Sequence, residues 1–221
     1  MSQFFSVHPI NPEPRLIRRA VEIIRHGGVI AYPTDSCYAL GCHIGDKEAM
    51  ERIRRIRKVD ERHHFTLMCR DHSEIGQYAK VDNAQYRLLK TYTPGSYTFI
   101  LRATRELPRR LAHPKRITIG VRVPEHPVTH ALLDELGEPL LSTTLILPDG
   151  GAPMNDPDEI RGKLEHALDL IIDGGPCGIV PTTIIDLTET APILVRAGKG
   201  DPAPFGFELQ AQVASVANNA T

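Results

Sequence analysis

The chain of 221 residues contains no tryptophan, and aromatic residues make up only 5% of it. Surfaces that stack successive bases rely on aromatic side chains, so this class of nucleic-acid binder is disfavoured. Four cysteines are too few for a disulfide framework, and a reducing cytoplasm is the expected compartment. No run approaches the ~18 unbroken apolar residues of a membrane-spanning helix, so no membrane partner is expected. The start, Met1-Ser2-Gln3-Phe4-Phe5, lacks a basic leader and is soon followed by prolines, so no signal peptide is expected. Common catalytic signatures are missing too: there is no G-x-x-x-x-G-K phosphate loop, no dinucleotide fingerprint and no nucleophile elbow. Cys37, Cys42 and His43 form C-x4-C-H, and His126 and His130 form H-x3-H. Neither has the two-plus-two grouping of a structural zinc site, so no metal centre is expected.

What is present is an ordinary globular composition, 41% hydrophobic and 24% charged. A net charge of −1 conceals an asymmetry: residues 1–122 hold 22 of the 26 basic and 12 of the 27 acidic side chains, a balance of +10 against −11 in the remainder. Such polarity fits either an anionic partner or two mutually attracting halves.

Hydrophobic spacing predicts helices over Arg15–His26, from Asp46 to about Lys58, and over Ala84–Tyr92, Val128–Leu136 and Pro157–Leu168. Strands are predicted at Val29–Tyr32, Thr66–Cys69, Tyr97–Leu101, Ile117–Val123, Leu140–Leu147, Leu170–Asp173, Thr183–Leu187 and Ile193–Val195. Gly27-Gly28 and Gly137 supply left-handed stops. The alternation indicates an α/β or α+β domain with helices packed on a sheet. One domain is expected over residues 1–207, with a small, polar and frayed tail over 208–221.

Polar residues at element ends are the candidate site. Thr34 follows a buried strand, and Ser142-Thr143-Thr144 interrupts an apolar one. Arg54, Arg55, Arg57 and Lys58 crowd a helix C-terminus, where the helix dipole alone would favour them, and Arg62 follows. His63-His64 reads as a solvated loop or an anion contact. Arg122 lies in the apolar stretch Ile119-Gly120-Val121-Arg122-Val123. A buried arginine is almost never left unpaired, so it calls for a fixed anion or carboxylate. Arg196 closes the last strand before Gly198.

These motifs together resemble the YrdC/YciO family. Tyr32-Pro33-Thr34-Asp35-Ser36-Cys37-Tyr38-Ala39-Leu40-Gly41 is similar to its Y-P-T-[ED]-T-x-Y-G-L-G signature. Thr93-Pro94-Gly95-Ser96-Tyr97-Thr98 resembles W-P-G-P-x-T, and Val121-Arg122-Val123-Pro124-Glu125-His126-Pro127 resembles V-R-x-P-x-H-P. Asp173-Gly174-Gly175, Thr182-Thr183-Ile184-Ile185-Asp186-Leu187 and Arg196-Ala197-Gly198 match its closing motifs. The motifs are collinear over about residues 12–200. Met1–Phe5 and Phe65–Asp71 place the chain nearest the YciO branch.

The resemblance implies a single-domain, YrdC/RibB-like twisted mixed sheet with helices packed on it and a concave basic face that binds RNA in several members. It also implies threonylcarbamoyl-adenylate synthesis from L-threonine, bicarbonate and ATP with Mg²⁺, with release of pyrophosphate, as a step in tRNA modification. Carried over by motif, Thr34 and Arg122 would hold threonine. Thr98, Arg196, Ser142 and Thr182 would line the pocket or meet the nucleotide, Arg57 and Lys58 would fall in the phosphate-binding segment, and Thr144 would lie on the nucleotide side. Two departures point to weakened or altered synthesis: Arg57-Lys58-Val59-Asp60-Glu61-Arg62 lacks the proline of the family's K-x-R-P segment, and Thr144 stands where the family has asparagine. The alternative is a double-stranded RNA or tRNA binder with a drifted catalytic site, using Arg54, Arg55, Arg109, Arg110, Lys115 and Arg116.

Overall fold

A computed structural model of the chain describes residues 1–60, 63–113, 115–148 and 150–208. Its elements in chain order are β1 (Gln3–Ser6), α1 (Pro14–Arg25), β2 (Ile30–Tyr32), β3 (Ala39–His43), α2 (Lys47–Arg57), β4 (Thr66–Met68), α3 (His72–Tyr78) and β5 (Ala79–Lys80). There follow α4 (Asn83–Tyr92), β6 (Tyr97–Ala103), β7 (Thr118–Arg122), α5 (Pro127–Leu136), β8 (Leu140–Thr144), α6 (Pro157–Leu164), β9 (Leu170–Asp173), β10 (Thr183–Asp186) and β11 (Ile193–Arg196).

Local chemistry fixes the helix ends. The Asp46 carboxylate accepts from the Ala49 amide at 2.9 Å, an N-cap for α2. Asp82 and Gln85 form a reciprocal capping box on α4. Gly27 (φ 82°) and Gly137 (φ 73°) take the left-handed conformation that ends α1 and α5.

All strands join one mixed sheet in the order β1-β9-β2-β3-β8-β4-β7-β6-β10-β11, with β5 also paired to β6. Alternation sends neighbouring side chains to opposite faces. Ile30 and Tyr32 pack with Ile24 of α1 and Leu132 of α5, while Val29 and Ala31 join the core formed with Ile53 of α2, Ile75 of α3, Leu89 of α4 and Ile160 of α6. Burying each such aliphatic side chain contributes about 1.5–3 kcal/mol. The first face is apolar only over part of the sheet. Beyond α5 it turns polar, with Ser142 and Thr144 on β8, Thr66 on β4, Arg122 on β7 and Thr98 on β6, and this polar half floors a cavity.

Several boundaries differ from expectation. β8 stops at Thr144, because the Leu145 amide turns to the Tyr38 carbonyl. α6 stops at Leu164 rather than Leu168. Ile117 has φ 53°, a left-handed conformation that no strand accommodates, so β7 begins at Thr118. Strands β1, β3 and β5 and helix α3 had no counterpart in the predicted elements. Of the expected tail, only Glu208 falls among the described residues.

Candidate active site

The cavity on the polar half of the sheet has a volume of about 190 Å³. Eight of the nine residues expected to bind substrate line it: Thr34, Arg57, Thr98, Arg122, Ser142, Thr144, Thr182 and Arg196. The pairings Thr66 with Ser142, Thr66 with Gly120 and Met68 with Arg122 bring their strands into register, and Thr98 lies beside Ile184. Gly120 matters to the floor: a Cβ there would sit 3.3 Å from both Thr66 Oγ1 and Thr98 Cγ2. Lys58 is the exception. It ends α2 in a left-handed conformation and lines a separate surface hollow with Arg55 and Val59, so the structure removes it from the cleft.

Arg122 is held from two sides. Its Nη2 donates to Asp35 Oδ1 at 2.5 Å and its Nη1 to Ser36 Oγ at 3.1 Å. Both charged side chains are buried, at 7% and 9% exposure, so Asp35 is the carboxylate this arginine required. Asp35 Oδ1 also accepts from the Glu125 amide, and Oδ2 accepts from Ser96 Oγ. Burial pushes the Asp35 carboxyl upward, but the Arg122 charge and these hydrogen bonds more than reverse this and hold it below the usual carboxylate range. The Thr34 hydroxyl turns inward: it donates to the Cys37 carbonyl at 2.6 Å and accepts from the amides of Ser36 and Cys37. These bonds shape the turn carrying Asp35 and Ser36, and Thr34 still lines the cavity.

The opposite wall holds two more arginines. Arg57 forks onto Thr143 Oγ1 (2.6 Å), His63 Nε2 (3.2 Å) and the Ile146 carbonyl (3.3 Å). A lysine could not reproduce this planar set of contacts, so Arg57 carries its own geometry and is more than a substitute for the family's lysine. Arg196 donates to the Thr182 carbonyl at 2.9 Å, and the Thr182 hydroxyl bonds Thr98 Oγ1 at 2.9 Å. Burial lowers the pKa of both arginines, and the charge of Arg196 lowers that of Arg57 further. Burial, followed by the Arg57 charge, depresses His63 to about 4, so it is neutral at pH 7. Among the described residues no acid lines the cavity, and its three arginines favour an anionic ligand.

The cations expected to contact RNA are distributed over three places. Arg54, Arg109, Arg110 and Lys115 line one cavity next to the cleft; Arg55 lies with Lys58, and Arg116 lines a hollow with Lys80 and Arg102. Arg62 lies outside the described residues. Sequence reasoning did not assign Asp35, Ser36 or Tyr32 to the site. Tyr32, fully buried, bonds Ser142 Oγ at 2.6 Å. The requirement that Arg122 find a carboxylate was the available signal for Asp35.

A family model named Sua5/YciO/YrdC and described as telomere recombination matches residues 22–198. The chain belongs to the Sua5/YciO/YrdC family. It is 60% identical over 205 residues to YciO from Escherichia coli (strain K12), covering 93% of this chain and all of that one. The crystal structure of E. coli YciO superposes with a TM-score of 0.90, over 93% of this chain and 100% of that chain. A threonylcarbamoyl-AMP synthase from Chromobacterium violaceum is 39% identical over 137 residues, which is 62% of this chain and 70% of that protein. The structure of P. abyssi Sua5 complexed with L-threonine has a TM-score of 0.82 at 25% identity, spanning 95% of this chain and 65% of that one. These matches bear out the family and the mixed α/β fold that the motifs implied.

Proposed function

We propose that the cleft binds L-threonine and MgATP, and that the protein forms threonylcarbamoyl-AMP in the cytoplasm as a step toward tRNA modification. The observation carrying this reading is the convergence of Arg57, Arg122 and Arg196 with Ser142, Thr98 and Thr182 on one cavity that no acid lines among the described residues. The family membership and the threonine-bound Sua5 relative support it.

In the reaction, the threonine amine and bicarbonate give a carbamate and water. A carbamate oxygen then attacks the α-phosphorus of ATP, the bond to the bridging β-phosphate oxygen breaks, and pyrophosphate leaves. The protein's task is positioning and electrostatic stabilisation, as in other phosphoryl and nucleotidyl transfers. Arg122, aimed by Asp35 and Ser36, holds the threonine carboxylate. Arg57 and Arg196 face the α-phosphate, whose negative charge offsets their mutual repulsion. Mg²⁺ sites usually include one or two carboxylates; the described lining of this cleft offers none, and Asp35 is committed to Arg122. The donor set therefore does not fit a resident metal, and Mg²⁺ enters as part of MgATP.

The double-stranded RNA reading rests on charge alone, and the cations it needs are split among three hollows; we favour the enzyme. Calorimetry with L-threonine tests the choice. Threonine should bind wild type and fail to bind Arg122→Ala, whereas absence of binding to folded wild type would remove the basis for the synthase reading.

A further inference from the structure

The sheet face that floors the cleft continues beyond it. β6 carries Thr98 in the cleft and then Arg102 on the same side, and β7 carries Arg122 in the cleft and Thr118 on the same side. Here the face holds two open hollows of about 630 and 670 Å³, which share Lys80, Arg102, Thr188 and Glu189. Two large apolar side chains line the first of them: Ile117, just ahead of β7, is 60% exposed, and Ile193, which opens β11, is 47% exposed. The strand order β7-β6-β10-β11 sets them three strand spacings apart, about 14 Å.

Ile117 is held there against its own preference. Its φ is 53°, and for a β-branched residue the left-handed region is a genuine outlier. The conformation is fixed from both sides: the Ile117 amide donates to the His113 carbonyl at 2.9 Å, and the Ile117 carbonyl accepts from the Ala103 amide at 2.8 Å. Strain of this kind persists where the surrounding structure imposes it, often because function uses it. The charges beside the two isoleucines are of both signs and are sorted. Arg116 and Arg102 lie on the β7–β6 side, with Lys80 of β5 paired next to Arg102, while Asp186 and Glu189 lie at the end of β10. Among the described residues none of these five has an ion-pair partner within the chain. The sorting repeats on one patch the polarity of the whole sequence, basic in residues 1–122 and acidic in the remainder. The two acids disfavour nucleic acid as the occupant.

We infer that this patch is a homodimer interface, occupied by a second copy of the chain. The inference stands apart from the synthase reading. In a twofold contact, residue i of one protomer meets residue j of its partner, and j meets i. An axis lying in the interface along the strand direction, midway between Ile117 and Ile193, sets Ile117 of one protomer on Ile193 of the other, twice. The same rotation carries the basic side of the patch onto the acidic side of its copy, so Arg116 and Arg102 face the other protomer's Glu189, again twice. A second copy therefore supplies the apolar contacts and the opposite charges together, at matching separations. The dimer covers the exposed isoleucines, and the strained Ile117 backbone is what presents one of them.

Sedimentation velocity of the full chain, from nanomolar to high micromolar concentration, tests this. Wild type should pass reversibly from monomer to dimer as concentration rises. Arg116→Glu and Glu189→Arg, both at exposed positions, should each raise the dimer dissociation constant by about tenfold or more, because the affected pair occurs twice and becomes repulsive. The double variant Arg116→Glu/Glu189→Arg restores opposite charges across the axis and should dimerise like wild type. Ile117→Gly removes the apolar contact and adopts φ 53° without strain. It should be monomeric where wild type is dimeric, while melting no lower than the wild-type monomer. Wild type that stays monomeric at every concentration, leaving the patch to some other protein, would overturn the assignment. So would single reversals that dimerise like wild type, a double variant no better than the singles, or Ile117→Gly that dimerises unchanged.

Discussion

Replacing Asp35 with alanine would leave the Arg122 guanidinium buried without its counter-charge. The pair is nearly inaccessible, at 7% and 9% side-chain exposure. Removing one member of a buried ion pair costs about 3–5 kcal/mol, most of it the penalty of stranding the other charge. For a domain of this size each kcal/mol moves Tm by about 2–4 °C, so Asp35→Ala should melt about 6–20 °C below wild type. Asp35→Asn keeps an acceptor for Arg122 and a polar partner for Ser96, so its loss should be distinctly smaller. Urea denaturation followed by circular dichroism gives both values. The pH dependence has a definite sign. The Asp35 pKa is lowered on folding, so the carboxylate contributes stability above about pH 4, its unfolded value, and that contribution vanishes as pH falls through the folded one. The gap between wild type and Asp35→Ala should therefore narrow in acid. A loss below about 1 kcal/mol, or equal losses for alanine and asparagine, would refute the view that charge pairing holds Arg122 in place.

Three further outcomes follow from the same geometry. His63 is neutral in the fold, with a pKa of about 4 against about 6.5 unfolded; stability present above about pH 6.5 should be lost as pH falls toward 4, and His63→Gln should flatten that part of a Tm–pH profile. Tyr32→Phe removes the 2.6 Å bond to Ser142 Oγ and should cost about 1–3 kcal/mol by urea denaturation, since a buried polar partner is left under-satisfied; no measurable loss would mean that Ser142 is held by the Leu40 carbonyl alone. Gly198→Ala would place a Cβ 2.3 Å from the Pro181 carbonyl oxygen, and overpacking of this kind costs about 1–3 kcal/mol; it should also displace Thr182 and weaken threonine binding in calorimetry.

Much of this was legible in the sequence because periodicity and caps are local. Asp46, Gly27 and Gly137 act within their own turns, and the amphipathic stripes of α1, α2 and α5 identify themselves. Strand β3 was not legible: Ala39-Leu40-Gly41-Cys42 is buried on both faces, so it shows no alternation. Strand β1 is four residues long and depends on parallel pairing with β9, 167 positions away (Gln3 with Leu170), a contact that local sequence cannot report. At the site, most of the motif residues line one cavity, and the burial argument asked for an anion or carboxylate beside Arg122, where Asp35 stands. The motifs could not show that the Thr34 hydroxyl bonds within its own turn, that Lys58 lines a separate hollow, or that Arg57 forks onto Thr143. Each of these depends on where a chain reversal places a side chain.

The central claim is that the cleft joins threonine to the α-phosphate of ATP, and pyrophosphate release measures it most directly. With ATP, Mg²⁺ and bicarbonate, purified protein should release pyrophosphate in a manner dependent on L-threonine, and Arg122→Ala should abolish the release. Folded wild-type protein that releases no pyrophosphate on addition of threonine, or an Arg122→Ala variant that matches wild type, would contradict the account.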